Sequence, residues 1–114
     1  MSQLPDPTGP APFRCVTESD GGSGRVAPVG EVDLATVDEV DAHLRALQAA
    51  GVRHVVLDLR GVTFMDSTGV RLVLEHDAGS RRDGYTFAVI PGPTPVQRVL
   101  ELAGVTDHLT FEEA

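Results

Sequence analysis

Asp66, Ser67, Thr68 and Gly69 form the polar cluster of this sequence with the greatest capacity for chemistry. The cluster follows an apolar run and opens a segment whose apolar residues recur at helical spacing. A hydroxyl in that position stands at the positive end of a helix, where free backbone N–H groups favour an anion. Ser67 could therefore be a helix cap, a catalytic nucleophile or a site of phosphorylation.

A catalytic serine needs a neighbouring base, and the sequence contains four histidines. None has a spacing that places its ring beside Ser67; His76, for example, lies about 13 Å away along the same predicted helix. The Asp-Ser-Thr-Gly cluster also resembles the Asp-Ser/Thr-Gly of aspartic proteases. Those enzymes need two carboxylates that share a proton, and the cluster occurs once. A hydrolase is not expected, and no His, Cys or Asp cluster has the spacing of a metal site.

Two other motifs have both a chemical and a structural interpretation. Asp58 ends an apolar strand, as the phospho-accepting aspartate of response-regulator receivers does, but the chain contains no lysine to contact an acyl phosphate. We interpret Asp58 as a strand-end residue that caps the next turn. Residues 22–27 match the dinucleotide fingerprint GxGxxA, which must open a helix, whereas here it leads into a predicted strand.

The elements that position the polar cluster follow from hydrophobic periodicity and turn residues. Three helices are expected, the first beginning at a capping box, Thr36–Glu39, and the second in the polar cluster. Strands joined through helices pair in parallel. The predicted fold class is therefore α/β: a small mixed β-sheet, with an N-terminal hairpin and then parallel strands, and helices packed on it. Strands are predicted over 13–17, 25–32, 54–59, 85–90 and 109–111.

Phe64 and Met65 directly precede the polar cluster. We expect both side chains to anchor the intervening turn in the core, so that the turn holds its polar tip rigidly. The apolar face of the helix that follows is expected at Val70, Val73, Leu74 and Ala78.

Composition excludes several function classes. The 114-residue chain has a net charge of −8, and an acidic surface disfavours both nucleic acid and anionic membranes. No apolar run is long enough to span a membrane, and no signal peptide is recognisable, so we expect a cytoplasmic protein. Cys15 is the single cysteine, which excludes an internal disulfide. Residues 1–12 contain four prolines and almost nothing to bury, and they are predicted to be a flexible tail.

Several segments, taken in order and spacing, resemble the STAS domain family, and within it the bacterial anti-sigma-factor antagonists. The resemblance covers roughly residues 13–112, and the STAS domain is assigned to residues 13–114. The segments that carry it are 30–36, 56–59, 64–70 and 102–105, together with Phe111.

The resemblance implies that Ser67 is phosphorylated by a cognate anti-sigma factor with serine kinase activity. The unphosphorylated form would bind that anti-sigma factor and free the sigma factor for transcription. A metal-dependent serine phosphatase would restore the unphosphorylated form. The implied protein is not an enzyme and carries no cofactor. The implied partner-binding residues are Glu31, Asp33, Asp66, Ser67, Thr68 and Gly69.

Three alternatives stay open. Thr68 could be modified instead of Ser67. Arg71 occupies a position where many family members carry a small residue, and it could pair with a phosphate or face solvent. STAS domains are also accessory subunits of transport systems, so the alternative function is constitutive docking in a transport or other signalling complex, without phosphorylation.

Overall fold

The computed structural model describes residues 12–114, so the Pro-rich tail predicted over residues 1–12 lies outside the described part apart from Pro12. That part contains five strands, three α-helices and one short 3-10 helix. In chain order they are β1 (Arg14–Asp20), β2 (Ser23–Val32), α1 (Val37–Ala49), β3 (His54–Asp58), β4 (Val62–Met65), α2 (Ser67–Asp83), β5 (Thr86–Ile90), α3 (Thr94–Leu102) and the 3-10 helix Thr106–His108.

The sheet confirms the predicted mixed architecture. β1 and β2 form an antiparallel hairpin, and β2, β3 and β5 pair in parallel in the order β1-β2-β3-β5. Gly21 in the hairpin turn has a φ of +61°, a conformation that glycine adopts without strain. Residues 23–27 of the GxGxxA motif lie in β2 and not in a helix, as expected.

β4 is a strand that the sequence patterns do not predict. It pairs in parallel with the second half of β2, with Gly30 opposite Val62 and Val32 opposite Met65. The sequence predicts a single short turn between β3 and α2. The structure has a short loop there, followed by β4. A strand of four residues is too short to show a clear alternation, and its partner lies far away in sequence.

The core lies between one face of the sheet and the helices. Alternate residues of β3 and β5 point into it, because successive side chains of a strand face opposite sides. The helical spacing of Val37, Val40, Leu44 and Leu47 predicts the apolar face of α1, and in the structure the last three are buried and Val37 is half-buried. The residues that β3, β5 and α3 contribute include Val55, Leu57, Phe87, Val89, Val96 and Leu100.

The buried face of α2 is broader than predicted. Val70 and Val73 are buried and Leu74 is half-buried, but Ala78 is exposed. Because α2 packs against β5, β4 and α1, its buried surface exceeds a single apolar stripe. It also contains the polar residues His76, Asp77 and Ser80.

Two local predictions are wrong. The strand expected over 109–111 is reduced to an isolated bridge between Phe111 and Val89. The capping box of α1 does not form, because Thr36 makes no side-chain capping bond. Its hydroxyl instead donates to the carbonyl of Glu31 at 2.7 Å, inside the turn between β2 and α1.

Candidate functional site

The polar cluster lies where β2 and β4 end side by side. Val32, the last residue of β2, pairs with Met65, the last residue of β4. The backbone N–H of Asp66 donates to the carbonyl of Val32 at 3.3 Å. The turn that contains Asp33 and the start of α2 therefore share one edge of the sheet, the carboxyl edge at which open α/β sheets commonly bind ligands.

Asp66 is the N-cap of α2. Its Oδ1 accepts hydrogen bonds from the backbone N–H of Thr68 at 2.9 Å and from the Thr68 hydroxyl at 2.5 Å. The bond from the Thr68 hydroxyl, aided by the backbone N–H groups of Thr68 and Gly69, holds the pKa of Asp66 below its ordinary value. Asp66 is consequently ionised at neutral pH and stabilises the first turn of the helix.

Ser67 is the first residue of α2 and is exposed to solvent. Its hydroxyl makes no hydrogen bond to any residue between 12 and 114 under a 3.5 Å limit. The neighbouring Thr68 hydroxyl is half-buried and donates to Asp66. Of the two adjacent hydroxyls, Ser67 is therefore the one that another molecule can reach.

Gly69 differs from the rest of the cluster because it is buried. It lies against the side chain of Met65, at the junction of β4 and α2. Gly69 thus determines how closely the helix approaches the strand, and it presents no surface of its own.

The turn between β2 and α1 brings two carboxylates to the same edge. Asp33 is half-buried, and its carboxylate accepts from the backbone N–H of Ala35 at 3.0 Å. Its own N–H donates to the Thr36 hydroxyl at 3.1 Å, and that hydroxyl binds the carbonyl of Glu31. Glu31 itself is exposed. The turn is therefore held by its own polar groups.

Two large apolar side chains are exposed at this edge, and the sequence patterns did not reveal them. Leu34 is 78% exposed and follows Asp33, while Phe64 is 47% exposed and pairs opposite Glu31. The prediction that Phe64 anchors the turn in the core is wrong: Met65, at 2% exposed, packs in the core, whereas Phe64 follows a shift in the register between β2 and β4 and is exposed. Exposed apolar side chains beside carboxylates are typical of a protein-binding surface.

A cleft of about 220 Å³ lies between α1 and α2 beside the cluster. Leu34 and Leu72 contribute apolar surface, and Asp38 and Glu75 contribute carboxylates. Arg71 also lines the cleft, is exposed, and has no carboxylate of residues 12–114 within 4.0 Å of its guanidinium.

Three of the four histidines that could act as a base for Ser67 are bonded to other residues. His43 bonds to Thr17, His54 to Thr86 and Glu112, and His76 to Asp41. The fourth, His108, is exposed in the 3-10 helix near the C-terminus. Between residues 12 and 114, no group of three or more His, Cys, Asp or Glu side chains is arranged to hold a metal ion. Each helix of the same part of the chain is too short or too polar to cross a membrane.

Asp58 has the structural role predicted for it. The side chain is 4% exposed, and its Oδ1 accepts from the backbone N–H of Arg60 at 3.0 Å. The Arg60 guanidinium also binds the carboxylate, with Nη2 2.8 Å from Oδ2. Hydrogen bonding from the Arg60 side chain outweighs burial and lowers the pKa of Asp58.

A family profile and a curated relative match this chain. The family profile described as "Mlab, STAS domain" matches residues 15–111. An anti-sigma F factor antagonist of Paenibacillus polymyxa is 34% identical over 77 residues, which are 67% of this chain and 66% of that protein.

Solved structures share the fold. An anti-sigma factor antagonist from Mycobacterium paratuberculosis superposes with a TM-score of 0.78 at 22% identity, over 97% of this chain and 92% of the other. The anti-sigma factor antagonist SpoIIAA in its unphosphorylated form has a TM-score of 0.73 at 19% identity, over 87% and 88% of the two chains. Bacillus SpoIIAA in its phosphorylated form has a TM-score of 0.67 at 18% identity, over 87% and 91%.

The mixed sheet, its N-terminal hairpin and a helix that begins in an Asp-Ser-Thr-Gly turn define a class of small α/β domains. Because the family profile spans nearly all of the described part, the chain belongs to the STAS domain family. The resemblance seen in the sequence is thereby confirmed.

Proposed function

We propose that this protein is a phosphorylation-controlled anti-sigma-factor antagonist that acts by binding and not by catalysis. In its unphosphorylated form it binds an anti-sigma factor with serine kinase activity, and the sigma factor is released for transcription. Phosphorylation of Ser67 by that kinase ends the interaction, and a metal-dependent serine phosphatase reverses it. The cytoplasmic location expected from the sequence is part of the same proposal.

The observation that carries this proposal is the difference between two adjacent hydroxyls. Ser67 is exposed at the start of α2, whereas the Thr68 hydroxyl is bound to the Asp66 carboxylate. A kinase must bring an acceptor hydroxyl in line with the γ-phosphate, and modification of Thr68 would first break its bond to the helix cap. This difference supports Ser67, and not Thr68, as the acceptor.

Electrostatics support the loss of binding. A phosphate adds about −1.5 to −2 charges at neutral pH. Asp66, Asp33 and the exposed Glu31 already make this edge acidic, so a phosphate there adds repulsion and a desolvation cost at an interface. A loss of about 3 kcal/mol would weaken binding more than a hundredfold.

The same phosphate is tolerated by the isolated domain. Ser67 is the first residue of α2, where the positive end of the helix and its free N–H groups stabilise an anion. Binding can therefore be lost while the fold is retained.

The names of the related proteins support the proposal. The P. polymyxa protein is an anti-sigma F factor antagonist, and SpoIIAA has structures in both an unphosphorylated and a phosphorylated form. For this chain we extend that pattern to Asp66, Ser67 and Thr68, with Leu34 and Phe64 as the apolar part of the docking surface, while the buried Gly69 positions these residues.

A phosphorylation assay tests the acceptor. The full chain is incubated with Mg-ATP and, one at a time, the anti-sigma factors of its source organism that carry a serine kinase domain, and phosphate is mapped by mass spectrometry. We expect a single label on Ser67, lost in Ser67→Ala and retained in Ser19→Ala. Label on Thr68, or no label with any of these kinases, contradicts the proposal.

A binding assay tests the switch. Titration calorimetry with the labelling kinase should show that Ser67→Ala binds like the wild type and that Ser67→Asp binds at least tenfold more weakly. Ser19→Asp is a matched control, because Ser19 is exposed at the hairpin end of the sheet, opposite Gly24. Equal binding by Ser67→Ala and Ser67→Asp would instead favour constitutive docking in a transport or other signalling complex.

A further inference from the structure

We propose that Arg71 binds a phosphate carried by Ser67 of the same molecule. The inference rests on the proposed function in that it concerns the phosphorylated form. The contact itself can be measured without a kinase, a phosphatase or a partner.

The spacing of the two residues supports the contact. Ser67 is the first residue of α2, and Arg71 follows four positions later in the same helix. Residues four apart lie on one helix face, and helical side chains lean towards the N-terminus. The Arg71 side chain therefore leans towards the turn that contains Ser67. Both residues are exposed.

The two ion pairs that join helix residues four positions apart share one order of charges. Asp41 and Arg45 pair at 2.7 Å, and Asp77 and Arg81 pair at 3.1 Å. In both pairs the acid precedes the arginine by four residues, which is the favourable order in the field of the helix dipole. A phosphate on Ser67 followed by Arg71 has the same order and the same spacing.

No carboxylate oxygen of residues 12–114 lies within 4.0 Å of the Arg71 guanidinium. Glu75 lies four residues after Arg71, in the reverse order, and the two side chains do not come within 4.0 Å. Arg71 lines the cleft between α1 and α2, together with Asp38, Asp41 and Glu75. Asp41 is already bound to Arg45 and His76. Arg71 is therefore available for a stronger anion.

A consequence reaches beyond Ser67. Arg71 is the one basic residue among those that line the cleft, which include Asp38 and Glu75, so a phosphate that pairs with Arg71 would neutralise the cation of this acidic cleft. Phosphorylation would thus change the charge of the α1–α2 cleft as well as that of the helix start. A partner that contacts both the start of α2 and the α1–α2 cleft would therefore meet a changed charge at both surfaces.

The test uses the full chain with phosphoserine incorporated co-translationally at position 67. ³¹P NMR follows the phosphate titration in the wild type, Arg71→Gln, Arg71→Lys and the control Arg98→Gln, whose exposed arginine lies on α3. We expect the titration midpoint at a lower pH in the wild type, in Arg98→Gln and in Arg71→Lys than in Arg71→Gln. The difference should shrink in 1 M salt, because screening weakens an exposed ion pair.

Thermal unfolding gives a second readout. With phosphoserine at position 67, the wild type should melt about 3 °C above Arg71→Gln, whereas the unphosphorylated forms should melt together. Equal ³¹P midpoints in the wild type and Arg71→Gln overturn the inference, as does an Arg71→Gln effect confined to binding of the unphosphorylated protein to its kinase. If none of the candidate kinases labelled Ser67, the proposed function would be contradicted. The NMR measurement does not use a kinase, so it would still test the contact between Arg71 and the phosphate.

Discussion

Gly69 and Met65 are in direct contact where β4 passes into α2. A β-carbon at position 69 would stand 2.5 Å from Cγ and 3.1 Å from Sδ of the Met65 side chain. Met65 is 2% exposed and packed in the core, so it has little room to move away. The first turn of α2 can therefore lie on the end of β4 only because residue 69 has no side chain. This contact places Asp66 and Ser67 at the edge of the sheet.

Gly69→Ala should destabilise the protein. Overpacking costs about 1–3 kcal/mol, and better helix propensity returns up to about 1 kcal/mol. We expect a net loss of about 1 kcal/mol in the free energy of unfolding, measured by urea denaturation. Gly22→Ala is the control, because a β-carbon there meets nothing within 4 Å, and it should change stability by less than about 0.5 kcal/mol. Equal stability of Gly69→Ala and the wild type would show that the Met65 side chain can move aside at little cost in free energy.

Asp66→Ala should remove the N-cap of α2 and lower the free energy of unfolding by about 1 kcal/mol. Asp66→Asn should retain most of the stability, because asparagine caps a helix about as well as aspartate does. Comparison of the two variants therefore distinguishes the contribution of the helix cap to stability from that of the negative charge. If Asp66→Asn lost as much stability as Asp66→Ala in urea denaturation, the charge and not the cap would be the stabilising feature.

Asp58 should give the protein an acid-sensitive stability. Bonding to Arg60 lowers its pKa in the folded protein below the ordinary value of 3.8, so the unfolded chain takes up the proton first as pH falls. Its contribution is complete above that value and is lost as pH falls below 3.8 towards the lowered pKa. Asp58→Asn should cost about 1–2 kcal/mol at pH 7 and less at pH 3, measured by urea denaturation. A cost that is equal at both pH values would contradict this role.

His76→Ala should weaken the contact between α1 and α2. The buried ring lies 2.7 Å from Oδ1 of Asp41 on α1, and its centroid is 6.1 Å from that of Phe87. Loss of the hydrogen bond and of the packed ring should cost about 2–3 kcal/mol in thermal or urea denaturation. His108→Ala is the control, because His108 is exposed, and it should be close to neutral. A neutral His76→Ala would mean that the packing of α1 on α2 does not depend on this hydrogen bond.

Much of the fold could be predicted because its signals are local. The hairpin, the parallel strands and the start of α2 follow from turn residues and from periodicities that neighbouring residues share. The core positions of α1 are likewise correct, since Val40, Leu44 and Leu47 lie on one helix face. These features depend on residues a few positions apart, which a sequence displays directly.

The largest error arises where a partner lies far away in sequence. β4 exists because its four residues pair with the second half of β2, and that pairing exposes Phe64 beside Glu31. The capping box fails for a different reason, because the Thr36 hydroxyl donates to the carbonyl of Glu31, five residues earlier. There, one local hydrogen bond replaced another, and the sequence motif does not show which of the two forms.

The candidate site shows the same division. The sequence alone determined that a polar cluster opens α2, because strand and helix periodicities meet there. Only the tertiary structure decided that Thr68 is bound to Asp66 and Ser67 is exposed, that Gly69 lies against Met65, and that Leu34 and Phe64 flank the cluster. The physical reason is that accessibility and hydrogen bonding depend on which groups the fold brings together, whereas periodicity reports only which face of an element is apolar.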